Sequence, residues 1–228
     1  MNELHRHSFA KHSYFVQYGE TQQYLSKSKD FEAPDLIPGE HKTEHFYTGN
    51  KTTYSSGSRE HIWACADSSG LWTHGKVDAD DYIGGGSDLY HIRPCNTQVN
   101  TARGDAPYVD FDDSEFSSYK SSVVEVGDAG PYKLKIYGAN EVREGVYEFA
   151  SLAEPADEFK GDIARIVAYL YMHYNTNTKT PSSKKYMTGD LVLNKVIGYN
   201  TVSKAKTVLK QWNELDPVSE VEKRRNHT

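Results

Sequence analysis

Two neighbouring residues, Glu60 and His61, have the side chains that a hydrolytic site needs. A neutral imidazole can take a proton from water near pH 7, and a carboxylate is a ligand that a hard cation such as Mg2+ prefers. On a strand, neighbouring side chains point to opposite faces, so both reach one site only at a distortion or a sharp strand end. The pair alone is a weak signal, because adjacent Glu and His residues are common by chance.

Two other residues, which come later in the sequence, make this set of candidate site residues more specific. Asn100 and Arg103 lie in a polar segment that predicts a helix start, with Asn96 or Thr97 as its N-cap. The amide oxygen of Asn100 is a suitable second ligand for Mg2+, which keeps most of its waters. Arg103 follows one turn later on the same face and can donate two hydrogen bonds to a phosphate. Hydrolysis of a phosphodiester requires a base, a metal site and a positively charged side chain near the phosphate, and this set can supply all three.

The hydrophobic pattern predicts the elements that hold these residues. Residues 59–66 and 89–92 alternate well enough for two short strands, the second stopped by Pro94. Between them, an acidic segment ends in three glycines at residues 84–86, which predict a flexible turn rather than a helix interior. The local order is therefore strand, loop, strand, helix.

Strands precede helices in the rest of the chain. Residues 123–126 and 132–137 alternate as strands, with residues 147–149 as a candidate partner, and residues 108–111 are a strand or an extended loop. Residues 1–56 are mostly irregular, with a possible short helix over residues 13–24 and a turn at residues 47–50.

From residue 154 the apolar residues recur at helical spacing. Residues 163–174 and 202–212 predict two amphipathic helices, and residues 187–197 predict a shorter one between them. Ser219 and Glu222 have the spacing of a capping box that opens a last helix.

Taken together, these motifs resemble the endonuclease I family, usually exported bacterial nucleases with a ββα-metal (His-Me finger) core. The resemblance spans about residues 57–226 and is carried by residues 59–63, 88–94, 99–103, 157–165 and 212–226. It implies an α+β fold in which that core is embedded in a mostly helical single domain, residues 57–228. Residues 1–56 are expected to be an irregular N-terminal segment that packs on this domain.

The resemblance also implies roles for individual residues. By position, the family's general base falls on His61 and its metal ligands fall on Glu60 and Asn100, while Arg103 matches an arginine that follows the asparagine by three. The implied cofactor is Mg2+, with Mn2+ or Ca2+ as substitutes. The implied activity is non-sequence-specific cleavage of DNA, and often RNA, to 5′-phosphate ends. The resemblance also leads us to expect a nucleic acid partner, a monomer, and a secreted or periplasmic location.

Supporting roles are expected for a second set of residues: Asp88, His91, Arg93 and Lys76. Asp88 and His91 are expected to hold the site by hydrogen bonds. Arg93 is either a phosphate contact or part of a surface ion pair. Lys76 is a candidate for a phosphate-binding cation, because the loop before the glycines is short and has no arginine in the place that some relatives use.

The resemblance is incomplete at the C-terminus. The family usually continues past residues 222–226 with a Gly-Asn-Arg-Asn-Pro-Phe stretch, which this sequence lacks. A truncated C-terminal end is therefore one expectation, and it bears on both stability and activity.

Composition sets wider limits. A mean hydropathy of −0.74, with no apolar run near about 18 residues, excludes a membrane-spanning helix. No apolar stretch follows the N-terminus, so no secretory leader is visible. Cys65 and Cys95 are too few for a disulfide framework; they either pair with each other or remain buried thiols.

Charge and composition keep other functions open. The formal net charge of −6 is opposite in sign to that of a protein that binds phosphates by bulk charge, although a bound metal or a local cationic cleft can offset it. A catalytically silent nucleic-acid-binding module is the main alternative to a nuclease. A sugar- or protein-binding module is another, given 17 tyrosines.

Overall fold

A computed structural model describes residues 18–26, 42–52, 58–64, 83–138, 151–175, 186–187 and 191–225. Its strands are β1 (Thr43–Glu44), β2 (Lys51–Thr52), β3 (Ser58–His61), β4 (Ile83–Gly84), β5 (Ile92–Cys95), β6 (Val124–Val126), β7 (Leu134–Gly138), β8 (Ser151–Glu154) and β9 (Tyr186–Met187). Its α-helices are α1 (Thr21–Ser26), α2 (Thr97–Arg103), α3 (Asp157–Tyr174), α4 (Leu193–Val196), α5 (Val202–Leu215) and α6 (Glu220–Arg225). Helices together with small sheets confirm the predicted α+β class.

The predicted order of strand, loop, strand and helix is present around β3. Strands β3 and β5 are antiparallel, with Ser58 opposite Cys95 and His61 opposite Ile92. Helix α2 follows β5 directly. Asn96 is its N-cap, because its side-chain oxygen accepts hydrogen bonds from Gln98 N at 2.8 Å and from Val99 N at 3.3 Å.

The predicted bounds of both strands of this pair were wrong. Strand β3 ends at His61, and the second strand is β5, so Pro94 lies inside it rather than stopping it. The Pro94 carbonyl accepts a hydrogen bond from Phe46 N, on the side away from β3. Because the N and O of one strand residue face the same side, the missing N–H of Pro94 removes no bond to β3.

The three glycines do not form an open flexible turn. Residues Gly85–Ser87 make one turn of 3-10 helix, and all three are buried. Asp88 O then accepts from His91 N and Ile92 N, both at 3.0 Å, which leads the chain into β5.

The strands after α2 follow their predictions in part. Strands β6, β7 and β8 form one antiparallel sheet in that order, which confirms residues 123–126 and 132–137 as strand regions. The third strand is β8, whereas the expected partner at residues 147–149 lies outside the described residues. Tyr108 makes isolated bridges to Ala153 and Ile197, so this stretch is an extended segment between sheet and helices.

The two long predicted helices, α3 and α5, are confirmed and pack against each other. They bury their apolar stripes in the main core, including Ile163, Val167 and Leu170 from α3 and Val208 and Trp212 from α5. The predicted helix over residues 187–197 is reduced to α4, because Met187 belongs to β9.

Helix α6 begins with the predicted capping box. Glu222 N donates to Ser219 Oγ and Ser219 N donates to Glu222 Oε2, both at 3.2 Å. Glu222 also receives two hydrogen bonds from Arg165, at 2.8 and 2.6 Å, which tie α6 to α3.

The N-terminal part of the chain contributes to this core. The turn predicted at residues 47–50 joins β1 to β2, and both Phe46 and Tyr47 are buried. The helix expected over residues 13–24 is described from residue 18 onward, as a 3-10 turn followed by α1. Cys95 is a free buried thiol, and Cys65 lies outside the described residues. No described helix has the length and apolarity to cross a membrane.

Candidate active site

Strand β3 turns alternate side chains to its two faces, and helix α2 covers one of them. On that face the Asn100 amide nitrogen donates to Ser58 Oγ at 2.6 Å. Glu60 points the same way, with Arg103 Nη1 3.4 Å from its Oε1. Asn100 and Arg103, one turn apart on α2, therefore face Ser58 and Glu60 on one side of β3. This brings the two predicted metal ligands, Glu60 and Asn100, to the same face.

The other face of β3 meets helix α1 and the turn before it. Arg59 Nη1 donates to the Tyr18 carbonyl at 2.6 Å and to Thr21 Oγ1 at 3.2 Å. The Tyr18 ring stacks on the His61 imidazole, with 5.2 Å between centroids. Glu60 and His61 thus lie on opposite faces, and His61 is the last residue of its strand.

Glu60 is a buried carboxylate with two partners on one oxygen. Its exposure is 1%, and the Tyr47 hydroxyl donates to Oε1 at 2.6 Å, beside Arg103. The Tyr47 hydroxyl also makes a hydrogen bond with the Tyr108 hydroxyl. Burial raises the pKa of Glu60 to about 7, although the positive charge of Arg103 and the hydrogen bond from Tyr47 act to lower it.

Arg103 is buried at the end of strand β3 and donates to backbone carbonyls. Its exposure is 2%, and Nη1 donates to the His61 carbonyl at 3.0 Å while Nη2 donates to the Ile62 carbonyl at 2.9 Å. The guanidinium also lies over the Tyr108 ring, 4.6 Å from its centroid. The structure therefore places Arg103 as the buried counter-ion of Glu60 and as a brace for the end of β3, in contrast to the expected contact with substrate.

His61 is held as a neutral imidazole with one nitrogen available. Its Nε2 lies 2.8 Å from the Gly86 carbonyl, which can only accept, so Nε2 carries the proton. Burial lowers the pKa of His61 to about 4; the bond to Gly86 opposes this, and the charges of Arg59 and Arg103 add to it. At neutral pH, Nδ1 therefore has a lone pair that can accept a proton from water.

His91 is fully buried and links the end of β3 to the glycine turn. Trp63 N donates to His91 Nε2 at 2.8 Å, so Nδ1 carries the proton and donates to the Gly85 carbonyl at 2.9 Å. Burial lowers the pKa of His91 well below its usual value. The carbonyls of Gly85 and Gly86 thus orient two imidazoles whose centroids lie 5.3 Å apart.

Asp88 ties the site to helix α3. Its Oδ2 accepts hydrogen bonds from the Tyr169 hydroxyl at 2.7 Å and the Tyr174 hydroxyl at 2.6 Å. Its Oδ1 accepts from Tyr90 N at 2.8 Å. Asp88 therefore holds the turn that follows the glycines rather than contacting His61.

The other two expected supporting residues fall elsewhere. Arg93 is buried rather than on the surface, with its guanidinium 5.9 Å from the Phe46 centroid and 5.8 Å from the Tyr90 centroid. Lys76 lies outside the described residues.

The oxygens of Glu60 and Asn100 on the α2 face are of the chemical type that a hard cation binds. The Asn100 amide nitrogen is engaged by Ser58 Oγ and, at 3.1 Å, by the Arg59 carbonyl, which leaves its oxygen as the donor atom. Tyr47 and Arg103 both contact Oε1 of Glu60, which leaves Oε2. Two hard oxygens suit Mg2+, which keeps several of its waters.

A second acidic group in the described part of the chain is a poorer metal site. Carboxylate oxygens of Asp110, Asp112 and Glu154 lie within 4.8 Å of one another. Lys160 Nζ lies 3.1 Å from Glu154 and 3.3 Å from Asp110, and Lys135 lies 3.1 Å from Glu154. These lysines already supply the positive charge that a cation would bring.

Several residues of the site were missed by the sequence analysis. Tyr47, Tyr108 and Tyr18 have no motif that distinguishes them from the other tyrosines. The carbonyls of Gly85 and Gly86 are backbone groups, which no side-chain pattern indicates. Only the pairing of β3 with β5 and the burial of the glycine turn bring them to the histidines.

Comparisons with known proteins identify the family of this chain and two relatives. The family model described as Endonuclease I matches residues 7–228. An extracellular ribonuclease of Bacillus subtilis (strain 168) is 29% identical over 193 residues, which are 84% of this chain and 51% of that protein. An extracellular ribonuclease of Bacillus amyloliquefaciens is 33% identical over 172 residues, 74% of this chain and 45% of that protein. The chain thus spans about half the length of these curated relatives. No solved structure gives a significant match.

Proposed function

Because the chain belongs to the endonuclease I family, we propose that it is a metal-dependent endonuclease that hydrolyses phosphodiester bonds without sequence specificity and leaves 5′-phosphate ends. The observation that carries this proposal is the state of His61, a neutral imidazole whose proton is held by the Gly86 carbonyl. His61 lies at the end of the strand that also carries the carboxylate of Glu60, so its Nδ1 is close in the chain to the proposed metal ligand.

The arrangement of β3, β5 and α2 supports a ββα-metal core. Two antiparallel strands are followed directly by a helix that packs on the first of them. In this core, His61 is the general base: Nδ1 takes the proton of the attacking water, and Gly86 keeps the ring in the required tautomer.

Glu60 and Asn100 are the residues proposed to hold one Mg2+, for which Mn2+ or Ca2+ could substitute. The bound cation would neutralise charge on the phosphate and stabilise the leaving oxygen. The positive charge of Arg103 favours the ionised form of Glu60 against the effect of burial, and its guanidinium donates to the carbonyl of His61. Its proposed role is thus to position both residues rather than to bind substrate.

Substrate and location are proposed from the relatives. Both are named extracellular ribonucleases, so we propose RNA as a substrate together with DNA, and action outside the cell. The net charge of −6 fits a protein that reaches phosphates through a bound cation rather than through a basic surface.

Digestion assays test the proposal. Purified protein is incubated with RNA and with supercoiled plasmid in Mg2+, and again with EDTA. We expect cleavage that EDTA abolishes, and products that a ligase accepts without prior phosphorylation.

The same assays with His61→Ala test the assigned base. We expect cleavage to fall by roughly 10²- to 10⁴-fold, the usual contribution of a general base, while circular dichroism shows an unchanged fold. Undiminished cleavage by this variant contradicts the assignment. Binding of nucleic acid without cleavage by the wild-type protein would instead favour the catalytically silent binding module.

A further inference from the structure

Tyr47 reaches Glu60 from the turn between β1 and β2, and it does so in an unusual backbone conformation. Its side chain is fully buried, and its hydroxyl donates to Glu60 Oε1 at 2.6 Å. Its φ of 72° is the one positive value among the non-glycine residues of the described chain. An aromatic residue in this left-handed region is held against a preference of about 1–2 kcal/mol. The surrounding structure must therefore enforce this conformation.

The turn that carries Tyr47 is secured from both sides. Within the turn, Gly49 N donates to the His45 carbonyl at 2.9 Å, and Gly49 itself has a φ of 65°. From outside, Tyr132 N donates to the Thr48 carbonyl at 3.1 Å. A Cβ on Gly130 would lie 2.1 Å from the same carbonyl, so only glycine allows this close approach. These contacts fix the direction in which the Tyr47 hydroxyl points.

We infer that Tyr47 is a positioning residue for Glu60, which it orients so that Oε2 is presented beside Asn100 as a cation ligand. A hydroxyl has one proton to donate, and Tyr47 gives it to Oε1, the oxygen that Arg103 also contacts. Because Tyr47 and Arg103 both contact Oε1, the carboxylate cannot rotate to turn this oxygen toward a cation beside Asn100. The link to catalysis rests on the proposed function, whereas the orienting contact does not.

A tyrosine that only fills the core would have different consequences. Loss of its hydroxyl would lower stability but would leave the affinity of the folded protein for a cation unchanged. A residue that orients a ligand changes that affinity, usually by roughly 10- to 100-fold. Cation affinity therefore separates the two roles.

Isothermal titration with Mg2+ alone tests the inference on the wild-type chain, Tyr47→Phe and a control, Tyr199→Phe. Tyr199 is as fully buried, and its hydroxyl accepts from Asp110 N at 3.3 Å, away from Glu60. We expect Tyr47→Phe to raise the Kd for Mg2+ roughly 10- to 100-fold, and Tyr199→Phe to leave it unchanged. Equal affinities of Tyr47→Phe and the wild-type protein overturn the inference.

Activity as a function of Mg2+ concentration gives a second readout. We expect saturating Mg2+ to restore cleavage by Tyr47→Phe, since the defect lies in ligand orientation and not in the folded fraction. A defect that saturating Mg2+ does not relieve contradicts the inference. If Tyr47→Phe does not fold, Tyr108→Phe replaces it, because it removes the hydroxyl that contacts Tyr47. A weaker but measurable loss of Mg2+ affinity is then expected, and an unchanged Kd overturns the inference.

These outcomes separate the inference from the proposed function. If the wild-type protein binds Mg2+ and cleaves nothing, the proposed function fails, yet the Tyr47→Phe titration still decides the role of Tyr47. If the wild-type protein cleaves RNA and Tyr47→Phe binds Mg2+ equally well, the proposed function stands and the inference fails.

Discussion

The two faces of β3 differ in how they are closed. On the α2 face, Glu60 and Arg103 are almost completely buried, with exposures of 1% and 2%, and their partners are charges and hydroxyls. On the α1 face, Arg59 and His61 are only partly buried, beneath the ring of Tyr18. One strand of four residues thus carries a rigid, enclosed carboxylate and a more accessible base.

Burial acts on these two residues in opposite ways. It raises the pKa of Glu60 to about 7 and lowers the pKa of His61 to about 4, because in both cases it disfavours the charged form. For His61 this keeps the imidazole in the neutral form, which is the form that can accept a proton, although the lower pKa also makes it a weaker base. For a metal ligand this is a disadvantage, which the charge of Arg103 and the hydrogen bond from Tyr47 reduce in part. We therefore expect substitutions on the α2 face to affect stability most, and those on the α1 face to affect stability least.

The largest stability effect is expected for Arg103→Met. It leaves Glu60 buried without its counter-ion, which should lower the free energy of unfolding by about 3–5 kcal/mol, measured by urea denaturation. Lys210→Met is the control, since Lys210 pairs with Glu214 at 3.8 Å on the exposed surface of α5. That variant should change the free energy by less than about 0.5 kcal/mol. An equal loss of stability in the two variants would mean that Arg103 does not stabilise the buried carboxylate of Glu60.

The next largest effect is expected for His91→Ala. It removes the two buried hydrogen bonds that the His91 ring makes with Trp63 N and the Gly85 carbonyl, for a loss of about 2–4 kcal/mol. Because Gly85 adjoins the carbonyl that orients His61, cleavage per folded molecule should fall as well. His173→Ala, another buried histidine, should lower stability without this second loss. Full activity of folded His91→Ala would show that His61 is oriented independently.

A smaller, pH-dependent effect is expected for Asp128→Asn, beside the turn that carries Tyr47. Burial would raise the pKa of Asp128, but hydrogen bonds from His45, Gly130 N and Asn50 outweigh it and hold the pKa at about 2. Since this lies below the value in the unfolded chain, the stabilisation is present above about pH 4 and is lost as the pH falls toward 2.

Unfolding measured across this range should show up to about 2 kcal/mol of pH-dependent stability in the wild-type protein, and less in Asp128→Asn. If the free energy of unfolding depends on pH in the same way in both proteins, Asp128 does not contribute to the pH dependence.

The smallest effect on stability is expected for Tyr18→Ala, on the α1 face. It removes a partly buried stacking pair with His61 and the contact of the Arg59 guanidinium, 3.9 Å from the Tyr18 centroid, so the free energy of unfolding should fall by about 1 kcal/mol. Reaction of His61 with diethyl pyrocarbonate should become faster, while His91 stays protected by its burial. An unchanged rate at His61 would mean that Tyr18 does not cover it.

Features with a local cause could be predicted from the sequence. Apolar residues at a spacing of 3.6 place α3 and α5, and Ser219 with Glu222 reports the start of α6, because these signals lie within a few residues of the element they describe. The family was likewise accessible, since its motifs are short runs of consecutive residues. The bounds of β3 and β5 were missed, because the ends of short strands depend on their partners rather than on their own pattern.

Tertiary structure alone decided which groups surround Glu60 and His61. The sequence determined the helical scaffold, the family, and the residue types of a base and two hard ligands, because periodicity and spacing are properties of the chain. It did not determine that Tyr47 would donate to Glu60, that Arg103 would be buried as a counter-ion, or that Gly86 would hold the tautomer of His61. Those depend on segments far apart in the chain meeting in space, and burial then sets the charge states of both residues.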